Sequence, residues 1–151
     1  MNLIQVAALL LASMLLLGCN PVQSTAVAEI AVAEYHGLFD AQDFEKIYDT
    51  AHPDLKAGQP KEDLISFIKT VRGKLGTVKS ADGTGWKASS YNFKTNVILT
   101  YLTQFEHGQG TETYTYRIAD GKASLLGWHI NSNALITNPS PPALEPSKPQ
   151  P

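Results

Sequence analysis

The sequence predicts an α+β domain in which N-terminal helices pack on an antiparallel sheet. Apolar residues recur at helical spacing up to Gly76, and after Gly76 they alternate with a period of two. Short turn sequences separate the alternating segments, which favours neighbouring strands that pair antiparallel. A domain in which helices are followed by a run of strands has the α+β arrangement.

The N-terminal segment predicts an exported, lipid-modified protein. Residues 6–17 are apolar except for Ser13, which is too short to cross a bilayer and typical of a signal peptide. The segment ends in Leu-Leu-Gly-Cys19 and resembles the lipobox of bacterial lipoproteins. The resemblance implies removal of residues 1–18 and acyl chains, such as palmitate, on Cys19. An uncleaved short anchor and an ordinary secretory signal are the alternatives.

This leader sets the predicted domain organisation and location. Residues 19–25 are expected to form the lipidated cysteine and a tether, which spans only about 20 Å when extended. Residues 26–136 form one α+β domain, and the Pro-rich residues 137–151 form a disordered tail. Two or more acyl chains anchor a protein stably, so the expected location is the cell envelope, facing the periplasm. The lipoprotein resemblance implies the outer membrane, because Gram-negative lipoproteins retained at the inner membrane commonly have Asp after the cysteine and this chain has Asn20.

Three helices are predicted before Gly76. The first covers residues 26–39, the second is capped by Asp40 and ends before Pro53, and residues 54–59 form a loop or a single turn. The third begins at Pro60 and ends at Gly76. The expected buried faces are Val27, Ile30, Ala31, Tyr35 and Leu38 in the first helix, Phe44, Ile47, Tyr48 and Ala51 in the second, and Leu64, Phe67 or Ile68, Val71 and Leu75 in the third.

Four strands are predicted after Gly76. The first covers about 77–88 with an interruption near Asp82-Gly83, and the second covers 97–105. A turn at 107–110 leads to the third strand, 111–118, and a turn at 119–122 leads to the last, 125–130. Alternation places Glu112, Tyr114 and Tyr116 on one face of the third strand.

The order of helices and then an antiparallel meander resembles the nuclear-transport-factor-like (cystatin-like) superfamily, and three segments carry a narrower resemblance. They are the short helix DFEKIY at 43–48, the helix end VRGKLG at 71–76, and the final strand LGWHI at 126–130. The resemblance covers about 28–132 and implies a bent sheet that wraps a long helix and encloses a conical pocket. More narrowly, the chain looks like an uncharacterised family of small exported bacterial proteins, which implies no activity.

Composition argues against several functional classes. Twelve basic and fourteen acidic residues give a net charge of -2 without a basic stripe, so no nucleic-acid partner is expected. The single cysteine permits no internal disulfide. The four histidines stand singly, so no metal site is expected, and the absence of a dinucleotide or phosphate-loop motif means that no cofactor is expected either.

The strand aromatics are the candidate ligand-binding residues. Such sites are concave and mostly apolar with few polar groups, so these side chains would suit a small hydrophobic ligand. The alternative is that they fill the cone as ordinary core. The candidate pocket residues are Phe67, Val71, Tyr101, Phe105, Glu112, Tyr114, Tyr116 and Trp128.

Three functions remain in view from the sequence. The first is a non-enzymatic binding or assembly module, held at the bilayer through Cys19, with an envelope protein as its partner. The second is a carrier or sensor of a small hydrophobic ligand. The third is an isomerase- or dehydratase-like enzyme, which requires Glu112 to point into the cone beside Tyr114 or Tyr116. No catalytic residue is assigned, because a strand glutamate near a turn is usually solvated.

Overall fold

The computed structural model describes residues 21–92 and 94–136. The predicted leader 1–18, the lipidation site Cys19 and the predicted tail 137–151 lie outside these residues. No described helix is long and apolar enough to cross a membrane. The elements are α1 (Pro21–Asp40), α2 (Phe44–Thr50), α3 (Pro53–Gly58), α4 (Lys61–Leu75), β1 (Val78–Tyr91), β2 (Lys94–Phe105), β3 (Gly108–Ala119), β4 (Lys122–Asn131) and α5 (Asn133–Ile136).

Helix α1 begins earlier than predicted and buries only part of the predicted face. Residues 21–25, expected in the tether, belong to the helix, and Ser24 and Thr25 are buried. Tyr35 of the predicted face is buried, and Ala31 and Leu38 are partly buried against the core, but the prediction was wrong for Ile30, which is 64% exposed. Most positions of this helix are apolar or small, so the sequence gives little contrast from which to choose a face. The buried positions are Ala28, Val32, Tyr35 and Phe39.

The two short helices are fixed by side-chain caps. Asp43, not Asp40, caps α2, and its carboxylate accepts a hydrogen bond from the backbone N–H of Lys46. Asp40 instead accepts from the backbone N–H of Val78 at 3.0 Å and so joins the end of α1 to β1. His52 caps α3 through Nδ1, which accepts from the Asp54 N–H at 3.1 Å.

Helix α4 follows its predicted pattern closely. The buried positions of this helix are Leu64, Ile68, Val71 and Leu75. Of the two alternatives left open by the sequence, Ile68 is the buried residue, because Phe67 is 42% exposed. Gly76 ends the helix with φ 77°, a conformation that glycine adopts without strain. An added Cβ there would also lie 2.6 Å from Glu106 Cβ.

The sheet is an antiparallel meander in the order β1-β2-β3-β4. Its pairing includes Leu99 opposite Tyr114 and Tyr101 opposite Glu112. Register shifts interrupt β1 between Val78 and Ser80 and between Gly83 and Gly85, the second close to the predicted interruption. Helices followed by this curved antiparallel sheet confirm the predicted α+β class.

The core lies between the helices and one face of strands β2 to β4. The inward residues of these strands are buried with the apolar faces of α1, α2 and α4. Burial of each large aliphatic or aromatic side chain contributes roughly 1.5–3 kcal/mol. Strand β1 is exposed along most of its length. Strands β2 to β4 therefore pack against the helices, and β1 forms an exposed edge of the sheet. The buried apolar strand residues are Val97, Leu99, Phe105, Tyr114, Tyr116, Leu125 and Ile130.

Candidate functional site

A carboxylate lies inside the core at Glu112, which is 1% exposed. Strand β3 directs it toward α1, where His36 Nε2 lies 2.8 Å from Oε2. Thr103, on the neighbouring strand β2, donates its hydroxyl to the same oxygen. The other oxygen, Oε1, accepts from the Tyr114 hydroxyl at 2.7 Å and from Trp128 Nε1 at 3.0 Å.

These four contacts occupy the whole acceptor capacity of the carboxylate. A carboxylate accepts about four hydrogen bonds, two on each oxygen, and donates none when ionised. His36 Nε2 must therefore carry a hydrogen, which it also directs toward the Tyr114 oxygen at 2.9 Å. No acceptor position is left for a further donor unless one of the four moves.

The surroundings hold the carboxylate in its charged form. Burial alone raises the pKa of Glu112, but the hydrogen bonds from His36, Thr103 and Tyr114 and the interaction with His36 outweigh burial, so the pKa lies below its ordinary value. Burial, and then the nearby Glu112 charge, raise the pKa of Tyr114 well above its ordinary value. The phenol thus remains a donor and the carboxylate an acceptor.

Aromatic rings enclose this polar group. The Tyr35 ring of α1 meets Tyr114 edge-on, with centroids 5.2 Å apart, and lies 5.2 Å from the Trp128 ring. Such pairs contribute about 0.5–1.5 kcal/mol beyond simple burial. The Tyr35 hydroxyl is buried and has no hydrogen-bond partner among the described residues. Burial and the Glu112 charge raise its pKa well above the ordinary value.

A cleft of about 490 Å³ lies on the other side of α1. Helix α1 forms one wall, α2 forms the second, and the ends of β3 and β4 form the floor. The lining is mostly apolar, and its two charged side chains are Glu34 and Lys46. The lining residues are Ala31, Glu34, Tyr35, Gly37, Leu38, Lys46, Ile47, Thr50, Tyr116, Ala123 and Leu125.

The eight predicted pocket residues lie partly in the hydrogen-bond network, which contains Glu112, Tyr114 and Trp128, and partly elsewhere in the fold. Val71, Phe105, Glu112, Tyr114 and Tyr116 are buried, Tyr101 and Trp128 are partly buried, and Phe67 lies at the surface against the Trp128 ring. Of the eight, Tyr116 is the one that lines the cleft. The others that are buried pack in the core, as the alternative reading of the aromatics proposed.

Sequence reasoning missed His36, Thr103 and the cleft. Glu112 was singled out, with the expectation that a strand glutamate near a turn is solvated, and the structure buries it instead. Strand parity offered a signal, because Glu112 shares a face with Tyr114 and Tyr116. His36 lies 76 residues away in sequence, and nothing in its local pattern marks it as a partner.

Comparisons with known proteins add a likeness of shape. Within the described residues, no group of three or more His, Cys, Asp or Glu side chains could hold a metal ion. No protein-family model and no curated protein matches the chain. Among solved structures it is similar to an NTF2-like protein from Cytophaga hutchinsonii, with 14% identity, 72% of this chain and 97% of that chain covered, and a TM-score of 0.46. No activity or ligand follows from that likeness.

Proposed function

We propose that the protein is a non-enzymatic binding module of the bacterial cell envelope whose cleft takes a small ligand with an apolar body and a polar end. The cleft between α1, α2 and the sheet carries the proposal, because a mostly apolar concave wall with a few polar groups is typical of small-molecule sites. Its volume falls in the usual range of about 300–1,000 Å³ for such sites.

The charged and hydroxyl groups on the cleft wall suggest the polar end of the ligand. Lys46 suits an anionic or carbonyl group, and Glu34 suits a donor. Tyr35 also lines the cleft, and its hydroxyl is buried without a partner among the described residues.

The state of Glu112 supports binding rather than catalysis. A general base must have a free lone pair within hydrogen-bond reach of the substrate proton. All four acceptor positions of Glu112 are taken by His36, Thr103, Tyr114 and Trp128, and the residue is shielded from solvent. A structural role for this carboxylate therefore explains its contacts more simply.

An isomerase- or dehydratase-like enzyme is the second candidate. It is favoured by the hydrogen bond between Glu112 and Tyr114, which joins an acid and a phenol inside the fold. This function requires a ligand that displaces one of the four donors and contacts Glu112. Ligand affinity would then fall in Glu112→Gln, whereas a ligand confined to the cleft would be insensitive to that change.

The location is proposed from the leader sequence alone. Acyl chains on Cys19 would hold the domain at a membrane that faces the periplasm, with the outer membrane favoured by Asn20. An envelope protein is the expected partner of the tethered domain. The test is Cys19→Ser: the variant should leave the membrane fraction and lose the acyl mass that mass spectrometry detects on the parent chain. An unmodified Cys19 in the parent chain would end the tether proposal.

The cleft itself is tested by filling it at Gly37. This glycine lies within α1 on the cleft wall, and a Cβ added there meets no atom within 4 Å. Gly37→Leu should occupy the cleft without strain, and it should gain about 0.5–1 kcal/mol of helix stability from the loss of a glycine. The probe is 1-anilinonaphthalene-8-sulfonate, whose rings suit the apolar wall and whose sulfonate suits Lys46.

A second helical glycine supplies the control. Gly73 lies in α4 away from the cleft, and a Cβ added there also meets no atom within 4 Å. In a fluorescence titration of the Cys19→Ser chain without detergent, Gly37→Leu should reduce probe affinity by tenfold or more, on the order of the loss of a buried ring contact. Gly73→Leu should leave it unchanged. Equal affinities in the two variants would place the probe elsewhere and refute the cleft.

A further inference from the structure

Strand β1 forms a long, exposed edge of the sheet. Strand β1 has 14 residues and no buried position, and it pairs only with β2 on its inner side. Long exposed edges offer unpaired N–H and C=O groups to another strand, and proteins usually shorten or cover them. At the opposite edge, the Leu125 carbonyl of β4 accepts from the His52 N–H at 2.9 Å, so a helix start covers that edge in part.

We propose that two copies of the protein pair their β1 edges antiparallel, which joins the two sheets into one continuous sheet across a two-fold axis. When the strand overlaps fully with its own copy, the first residue lies opposite the last. Asp82 is the fifth residue from the start and Lys87 the fifth from the end, so each Asp82 faces Lys87 of the second copy. The two-fold symmetry gives two such Asp82–Lys87 contacts in each dimer.

The faces of the two sheets agree with this register. Asp82 pairs with Leu102 and Lys87 with Ile98 across β2, and both partners lie on the exposed side of the sheet. Residues directly opposite in an antiparallel pair share a face, so the opposite charges of the two copies lie side by side. The charges of β1 are thus complementary to those of β1 in a second, antiparallel copy.

The helix-side face gives a second match in the same register. Gly83 pairs with Tyr101 and Trp86 with Leu99 across β2, which places both β1 residues on the helix side. Trp86 is 58% exposed in one copy, and in the dimer it faces Gly83 of the second copy. The glycine leaves room for the indole, so each copy would bury part of the other's exposed aromatic ring.

Another segment of the same chain suits this edge less well. Residues 137–151 are rich in proline, which has no N–H to donate to a strand edge. The shift between Gly83 and Gly85 lies at the two-fold axis of the dimer, so both strands bend at the same point. A second copy is therefore the occupant that fits both the charges and the bend.

Charge reversal tests the pairing with the full chain in a mild detergent, by sedimentation equilibrium matched for the bound detergent. The parent chain should form dimers. Asp82→Lys and Lys87→Asp should each weaken dimerisation on the order of tenfold, because each places like charges opposite one another twice. The double variant Asp82→Lys with Lys87→Asp should restore parental affinity. Lys79→Asp changes the net charge as Lys87→Asp does, but Lys79 lies at the shift between Val78 and Ser80 and meets only the uncharged end of the second strand, residues 88–91, so it should have little effect.

Disulfide trapping gives an independent readout of the register. Asp82→Cys combined with Lys87→Cys places two thiols opposite each other between copies, while within one strand they lie about 17 Å apart, too far to bond. Mild oxidation should yield a covalent dimer whose linked peptides contain positions 82 and 87. Lys79→Cys with Lys87→Cys should not yield it. A monomer at all concentrations, or a dimer indifferent to charge reversal and to these cysteines, would overturn the proposal.

Discussion

Two opposite sides of helix α1 have different surroundings: the closed flank carries His36 and faces the core, and the open flank carries Glu34 and faces the cleft. His36 and Glu34 are two residues apart, about 200° around the helix, so they face opposite sides. His36 closes the hydrogen-bond network of Glu112, where both carboxylate oxygens have partners. Glu34 lines the open cleft with Lys46, and in the described part of the chain neither side chain forms a salt bridge.

The difference shows what burial demands of a polar group. A charge removed from water must be matched by hydrogen bonds and a counter-charge, whereas a charge at a cleft wall remains hydrated and free to meet a ligand. Tyr35 lies between the two flanks and follows neither rule, because its hydroxyl is buried without a described partner. The closed flank should therefore dominate stability, and the open flank should contribute little to it.

Truncation of the buried carboxylate is expected to have the largest effect. Glu112→Ala leaves donors of His36, Thr103, Tyr114 and Trp128 unpaired in the core, and the loss of one partner of a buried pair costs about 3–5 kcal/mol. The matched variant Glu34→Ala removes the same side chain from the exposed flank and should change stability by less than about 0.5 kcal/mol. Urea unfolding measures both. Similar losses in the two variants would contradict the contrast between the flanks.

Two tyrosine hydroxyls should respond in opposite ways. Tyr114→Phe removes a donor to Glu112 and leaves one carboxylate lone pair unpaired, which costs about 1–3 kcal/mol. Tyr35→Phe removes a hydroxyl that has no partner, so it should leave stability unchanged or increase it slightly. The two rings touch, and both are nearly fully buried, so the pair differs mainly in hydrogen bonding. A clear loss in Tyr35→Phe would show that its hydroxyl has a partner, such as a bound water.

Some of this arrangement follows from the sequence alone. Alternation predicted the shared face of Glu112, Tyr114 and Tyr116, because side chains of a strand alternate strictly between faces. Helix α4 was predictable because charged residues separate its apolar positions. In α1 the same reasoning predicted the burial of Tyr35 but misplaced Ile30, since the small and apolar residues of this helix leave several faces nearly equivalent.

The candidate site depends on tertiary structure that no local pattern encodes. His36 meets Glu112 only because α1 crosses β3, and the register of β2 and β3 brings Thr103 beside both. The cleft arises where α2 stands away from β4, so it is a gap between elements rather than a property of any of them. Neither feature has a sequence spacing from which it could be read.

A smaller effect is expected in the pH dependence of the unfolding free energy, which tests the role of Glu112 on the closed flank of α1. The pKa of Glu112 lies below its ordinary value in the folded protein, so the unfolded chain binds more protons over the interval between the two pKa values. The stabilisation is therefore fully present above the unfolded pKa of about 4.5 and is lost as the pH falls through the folded pKa. Each unit of difference corresponds to about 1.4 kcal/mol. Unfolding free energies measured from about pH 6 to about pH 3 should fall in the parent chain.

Glu112→Gln isolates the contribution of the buried carboxylate to that fall. The variant is less stable throughout, but its free energy should decline less with acidification because the titrating group is gone. A residual slope should remain from Glu106, whose pKa is lowered by hydrogen bonds from Thr77. If the slope survives intact in Glu112→Gln, the carboxylate is not held ionised by its four donors, and the closed flank owes its stability to the surrounding rings.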